Sequence, residues 1–122
     1  MKKILIVDDE KDLCYFVKKN LEALGAFEVV VCYNGAGGIK LAKELRPDLI
    51  LLDILMPGVD GVYVAESLKA NKETEHIPII FLTAMVGEKE AEERKNIIGG
   101  WHYIAKPVKI KELMQLIDTL LK

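Results

Sequence analysis

The sequence predicts an α/β fold: a single domain in which five strands alternate with helices around a doubly wound parallel sheet. Three observations carry this. Four short apolar runs, at 4–7, 29–31, 49–52 and 77–82, are too brief for helices and too continuous for strands with one wet face. Segments of helical period separate them. The chain has 122 residues, the size of one domain, and is 51% hydrophobic and 30% charged, so it can fill a core.

In chain order, the first run is Ile4-Leu5-Ile6-Val7, closed by Asp8-Asp9. Leu13, Phe16, Val17, Leu21 and Leu24 then recur at helical steps, which predicts a helix with Asp9 as its N-cap and Gly25 as its stop. The second run, 29–31, precedes the segment 34–45. There Gly35, Gly37 and Gly38 cost roughly 1 kcal/mol each in a helix interior, so the helix is expected to begin late, near Ile39. The third run meets Asp53, and the fourth, interrupted by Pro78, meets Thr83. The segment 86–98 is rich in Glu, Lys and Arg, with only Val86, Ala91, Ile97 and Ile98 to bury, so a helix there should dock weakly. A fifth, weaker run, 101–105, stops at Lys106-Pro107. Ile110, Leu113, Met114, Ile117 and Leu120 then form the clearest helical stripe. Right-handed crossovers place helices on both faces, and at this size they predict the flavodoxin-like strand order 2-1-3-4-5.

Composition narrows the function. A net charge of −2 argues against a nucleic-acid grip, which needs clustered Lys and Arg. Cys14 and Cys32 have no metal or redox spacing, so buried, reduced thiols and a cytoplasmic location are expected. The apolar run after Met1-Lys2-Lys3 meets acids too early for a signal peptide, and no stretch is long enough to span a membrane. His76 and His102 lack a partner at ligand spacing. Gly35-Ala36-Gly37-Gly38 does not follow the dinucleotide fingerprint.

The polar residues that end the strands are more informative. In open α/β sheets, ligands bind beyond the carboxyl ends of the strands, where the strand order switches. In the order 2-1-3-4-5 that point lies between the first and third strands, which end in Asp8-Asp9 and Asp53. Thr83 and Lys106 would flank them. Wet loops explain one or two polar strand ends, but not three acids, a hydroxyl and an amine meeting in one crevice. Carboxylates about 4 Å apart repel by about 4 kcal/mol per pair at an effective dielectric near 20. A proton or a cation must therefore sit among them. Oxygen-only ligands suit Mg2+, and an aspartate beside Mg2+, a lysine and a threonine can act as nucleophile toward a phosphoryl group.

The motifs Ile4-Leu5-Ile6-Val7-Asp8-Asp9-Glu10, Asp53-Ile54-Leu55-Met56-Pro57-Gly58-Val59-Asp60-Gly61, Leu82-Thr83-Ala84 and Tyr103-Ile104-Ala105-Lys106-Pro107 resemble those of a two-component response-regulator receiver domain. The resemblance covers the whole chain, 1–122. It implies that Asp53 accepts a phosphoryl group from the phosphohistidine of a sensor histidine kinase or a phosphotransfer protein. It also implies that Asp9, Asp53 and the backbone carbonyl of Leu55 ligate Mg2+, with Asp8 helping through a water. Thr83 and Lys106 would bind the phosphoryl oxygens. Tyr103 would swing inward as Thr83 moves, and the Lys106–Pro107 bond would be cis. The surface of the fourth helix, fifth strand and fifth helix would then change toward a downstream protein or an output domain. A phosphorylation-dependent homodimer of the domain is a further expectation. Such a domain is a phosphoacceptor regulator rather than an enzyme.

Two other functions compete with this one. A haloacid-dehalogenase-like phosphatase pairs acids as Asp-x-Asp, and Asp53-Ile54-Leu55 lacks the second acid. A flavin or nucleotide module would want a phosphate loop after the first strand, where Asp8-Asp9 would repel an anion. Some positions depart from the family pattern. Leu55 and Met85, both apolar, stand where the family tunes phosphoryl lifetime and cannot orient an attacking water, so self-dephosphorylation is expected to be slow. Trp101 replaces a small or acidic residue and either enlarges the output face or covers the end of the fourth helix.

Overall fold

The computed structural model describes residues 1–56, 58, 60–84, 97–98 and 100–121. In chain order the elements are β1 (Lys2–Val7), α1 (Lys11–Ala23), β2 (Phe27–Cys32), α2 (Gly35–Leu45), β3 (Leu49–Asp53), α3 (Gly61–Lys69), β4 (Ile79–Thr83), β5 (Ile97–Ile98), β6 (Trp101–Ala105) and α4 (Ile110–Leu120). The sheet order is β2-β1-β3-β4-β6-β5. The five longer strands are parallel in the predicted order, and the short β5 adds an antiparallel edge to β6.

The sheet separates two cores. On one face Ile4, Ile6, Leu49, Leu51, Ile80, Leu82 and Ile104 pack under Cys14, Val17 and Leu21 of α1 and Leu113 and Ile117 of α4. On the other, Leu5, Val7, Ile50, Leu52 and Phe81 pack under Ala42 of α2 and Val64, Ala65 and Leu68 of α3. Alternate residues of each strand serve opposite faces, which is why the runs read as continuously apolar. Each fully buried Leu or Ile contributes roughly 1.5–3 kcal/mol relative to exposure. Among the described residues no helix is long and apolar enough to cross a membrane.

Several expectations are corrected. α2 begins at Gly35 rather than near Ile39, because Asn34 caps it by accepting a hydrogen bond from the Gly37 amide at 2.7 Å. In α1 the cap position is Glu10, not Asp9, since the Asp8 side chain engages the Glu10 amide and the helix starts at Lys11. Its buried stripe is Cys14, Val17 and Leu21, while Phe16 and Leu24 are 45% and 54% exposed. Phe16 lies roughly 200° around the helix from Cys14, and Leu24 is already the C-cap. Of the helix expected at 86–98, the residues 86–96 lie outside the described residues. Ile97 and Ile98 form a strand instead, paired with His102 and Trp101 across a reversal that contains Gly100 at φ +85°. The third helix, implied by the alternation in the sequence but given no residues there, is α3.

Candidate functional site

The sheet register builds the site. β1 and β3 pair so that Val7 faces Leu52, which brings the next residues, Asp8 and Asp53, side by side. β4 and β6 pair Thr83 with Ala105, so Lys106 emerges one residue beyond Thr83 and its amide donates to the Thr83 carbonyl at 2.9 Å. Asp8, Asp53 and Thr83 are all buried. The loop after β3 turns back sharply, with the Gly61 amide donating to the Ile54 carbonyl at 2.8 Å. A Cβ on Gly61 would stand 2.1 Å from the Asp53 carbonyl oxygen, so only glycine fits. Gly58 sits at φ +84° in the same turn, which favours glycine there too.

The ammonium of Lys106 is the hub. Its Nζ lies 2.6 Å from Glu10 Oε1, 3.1 Å from Asp8 Oδ2 and 3.5 Å from Asp53 Oδ1. Oxygens of Asp8, Glu10 and Asp53 lie within 4.8 Å of one another. Asp8 Oδ1 accepts from the Glu10 amide at 2.9 Å, and Asp53 Oδ1 accepts from the Leu55 amide at 3.3 Å. Burial, and then the charge of Asp8, push the Asp53 carboxyl up to about 6. Burial raises Asp8 as well, against the pull of the Glu10 amide and Lys106. Burial alone would lower Lys106, but hydrogen bonds to Glu10 and Asp8 outweigh it and raise its pKa. One ammonium thus faces three carboxylates, and the crevice favours a further cation.

The residues present fit Mg2+. Asp8 Oδ2 is enclosed without a well-aligned hydrogen bond, beyond its ion pair with Lys106, and the donors are all oxygens. Chemically, the arrangement offers a nucleophilic carboxylate at the end of β3, a mobile ammonium and a threonine at the end of β4.

Of the sequence-predicted residues, Asp8, Asp53 and Lys106 meet directly, and Thr83 ends the strand between Asp53 and Lys106 in the sheet. Asp9 is half-buried and outside the converging group, where Glu10 stands. Leu55 is 64% exposed on the rim, and Pro57 and Met85 lie outside the described residues. The Lys106–Pro107 bond is cis. Tyr103 is half-buried, its ring 5.4 Å from that of Phe81, with Trp101 edge-on to Phe81 on the same face. Cys14 and Cys32 are buried free thiols, and burial pushes Cys14 up to about 12. The reading passed over Glu10. Its place in the site comes from the turn at Asp9, where the Asp8 side chain accepts from the Glu10 amide, and from Lys106, 96 residues away, neither of which local pattern shows.

The family model described as response regulator receiver domain matches residues 4–118. The chain is 35% identical over 122 residues to the DNA-binding dual master transcriptional regulator RpaA of Synechocystis, covering all of this chain but only about half (50%) of RpaA. It is 38% identical over 120 residues to the polar-differentiation response regulator DivK of Brucella anthropi, covering 98% of this chain and 96% of DivK. The receiver domain of Francisella response regulator 1452 superposes with a TM-score of 0.81 at 28% identity, covering 99% of this chain and 97% of that one. The strand order, the acids at the ends of β1 and β3 and these likenesses agree: the chain belongs to the response regulator receiver domain family of two-component signalling systems, on a flavodoxin-like fold.

Proposed function

We propose that this receiver domain is a phosphorylation switch whose acceptor is Asp53. The observation that carries the proposal is the buried Asp53 carboxylate at the switch point of the sheet, with Asp8 beside it and the Lys106 ammonium 3.5 Å away. A carboxylate oxygen of Asp53 attacks the phosphorus of a phosphohistidine, the P–N bond breaks, and an acyl phosphate forms on Asp53. The donor is a sensor histidine kinase or a phosphotransfer protein. Mg2+, held by Asp53, Asp9 and the Leu55 carbonyl with Asp8 near it, would neutralise the developing charge. Lys106 and Thr83 bind the phosphoryl oxygens.

The switch follows from this chemistry. Drawing Thr83 toward the phosphoryl group vacates space for Tyr103, which reshapes the surface around β6 and α4 for a downstream protein or an attached output domain. Moving from mostly inactive to mostly active needs about 5.5 kcal/mol, and a few charge-assisted hydrogen bonds at about 1.5–3 kcal/mol each can supply it. The domain is proposed to act in the cytoplasm, in keeping with its family.

The test is intact mass after exposure to acetyl phosphate, with and without Mg2+, for the native chain and Asp53→Asn. Addition of one phosphoryl group that requires both the metal and Asp53 is expected. Addition to Asp53→Asn, or none to the native chain with Mg2+, overturns the assignment.

A further inference from the structure

We infer that Glu10 is a positioning residue that holds the Lys106 ammonium at the mouth of the crevice and competes for it with a phosphoryl group on Asp53. The inference rests on the proposed phosphoryl chemistry and adds to it a residue to which the resemblance assigned no role.

The distances state the competition. The Lys106–Glu10 contact, at 2.6 Å, is at the short end for an ammonium–carboxylate hydrogen bond, whereas Asp53 stands 3.5 Å from the same nitrogen. The ammonium is therefore engaged most closely by Glu10 and least by the acceptor it would serve. Both backbones are pinned. The Glu10 amide donates to Asp8 Oδ1, and its carbonyl accepts from the Cys14 amide at 3.1 Å. The Lys106 amide is tied to the Thr83 carbonyl. Exchange of partners is thereby left to the side chains, and the ammonium can change partners along its own flexible stem.

The two ends of the pair differ in exposure. The Glu10 side chain is 58% exposed and that of Lys106 only 11%. Water screens such a pair, so it biases the ammonium without locking it. Asp8, by contrast, is fully enclosed and stays beside the ammonium in either arrangement. Glu10 also adds a third negative charge to the crevice. Removing it should therefore act in opposite directions on two ligands. A divalent cation loses an attractive charge and meets a freer, competing ammonium. A phosphoryl-like anion bound at saturating Mg2+ gains an ammonium with one competitor fewer.

The experiment measures Mg2+ affinity, and then beryllofluoride affinity at saturating Mg2+, for the native chain, Glu10→Gln, Glu10→Ala and Asp12→Asn. Asp12 lies in the same exposed first turn and is not a partner of Lys106. In both Glu10 variants the beryllofluoride affinity is expected to rise about two- to fivefold at low salt while Mg2+ affinity falls by a similar factor. Both changes shrink at high salt, and Asp12→Asn leaves the beryllofluoride affinity unchanged. Parallel losses of both affinities, unchanged beryllofluoride affinity in the Glu10 variants, or an equal rise in Asp12→Asn overturns the role of Glu10. Failure of the native chain to bind beryllofluoride with Mg2+ overturns instead the phosphoacceptor reading beneath it.

Discussion

Asp53 combines two demands that work against each other. As the proposed phosphoacceptor it would have to be ionised, yet it is 4% exposed and has Asp8 for a neighbour. Its carboxyl is raised from 3.8 to about 6, so folding takes up a proton between those two values. The sign follows. In the metal-free protein this group favours the fold fully below about pH 4, and that contribution is lost as pH rises through about 6. The loss is at most about 3 kcal/mol, from 1.36 kcal/mol per unit. Asp53→Asn keeps an oxygen that can accept from the Leu55 amide and removes the charge. It is expected to be about 1–3 kcal/mol more stable than the native chain at pH 7 without metal, with the gain vanishing near pH 4. Asp8 is raised too, and because its charge acts on Asp53, removing the Asp53 charge relieves Asp8 as well, so the gain belongs to the pair. Urea denaturation of the pair at the two pH values checks this. Equal stability at pH 7 would mean that the buried carboxylate carries no such cost.

At the scale of elements, glycines decide where α2 and α3 can sit. A Cβ on Gly38 would stand 2.8 Å from both Cγ atoms of Val7, a buried β-branched side chain that cannot turn away. Gly38→Ala would gain roughly 1 kcal/mol of helix propensity but is expected to cost a net 1–3 kcal/mol through overpacking, on the order usual for cores. Gly61→Ala is expected to cost more, because its Cβ would meet the Asp53 carbonyl oxygen at 2.1 Å and backbone cannot step aside. That substitution should also weaken Mg2+ binding, since it displaces the strand end that carries Asp53. Denaturation and Mg2+ titration of both variants test the ranking, and an equal or smaller loss for Gly61→Ala refutes it. These contacts mark the limit of what sequence shows. The five parallel strands and the α4 stripe were legible because burial writes them into local pattern. The early start of α2 was not, since propensity penalised Gly38, which the approach to Val7 requires, and Gly37, which lies against Cys32 and the capping Asn34. The inward face of α1 was misread because Phe16 and Leu24 are apolar yet exposed. The strand-end acids and Lys106 were legible from position, whereas Glu10 acquires its role from a lysine 96 residues away.

Across the whole molecule, β6 links the crevice to the far end of the sheet. Lys106 follows its last residue and Trp101 is its first, about 17 Å away at 3.3 Å per residue. Trp101 is the sole tryptophan of the chain. It packs edge-on to Phe81 at 5.3 Å, and Tyr103 packs on the same ring at 5.4 Å, all on the face covered by α2 and α3. Phe81 is fully buried and paired in register with Tyr103, so a displaced Tyr103 ring changes the packing on Phe81. If Thr83, two residues beyond Phe81, is drawn toward a phosphoryl group and Tyr103 follows, the ring that Trp101 touches changes its environment. The expected result is a shift in tryptophan emission on adding beryllofluoride with Mg2+, saturating at the concentration that saturates thermal stabilisation and absent in Asp53→Asn. Tyr103→Ala should still bind the anion, because the crevice residues are untouched, yet lose most of the emission change. Saturable stabilisation of the native chain with unchanged emission would show that the aromatic trio stays fixed, and the switch would then have to run through α4 without Tyr103.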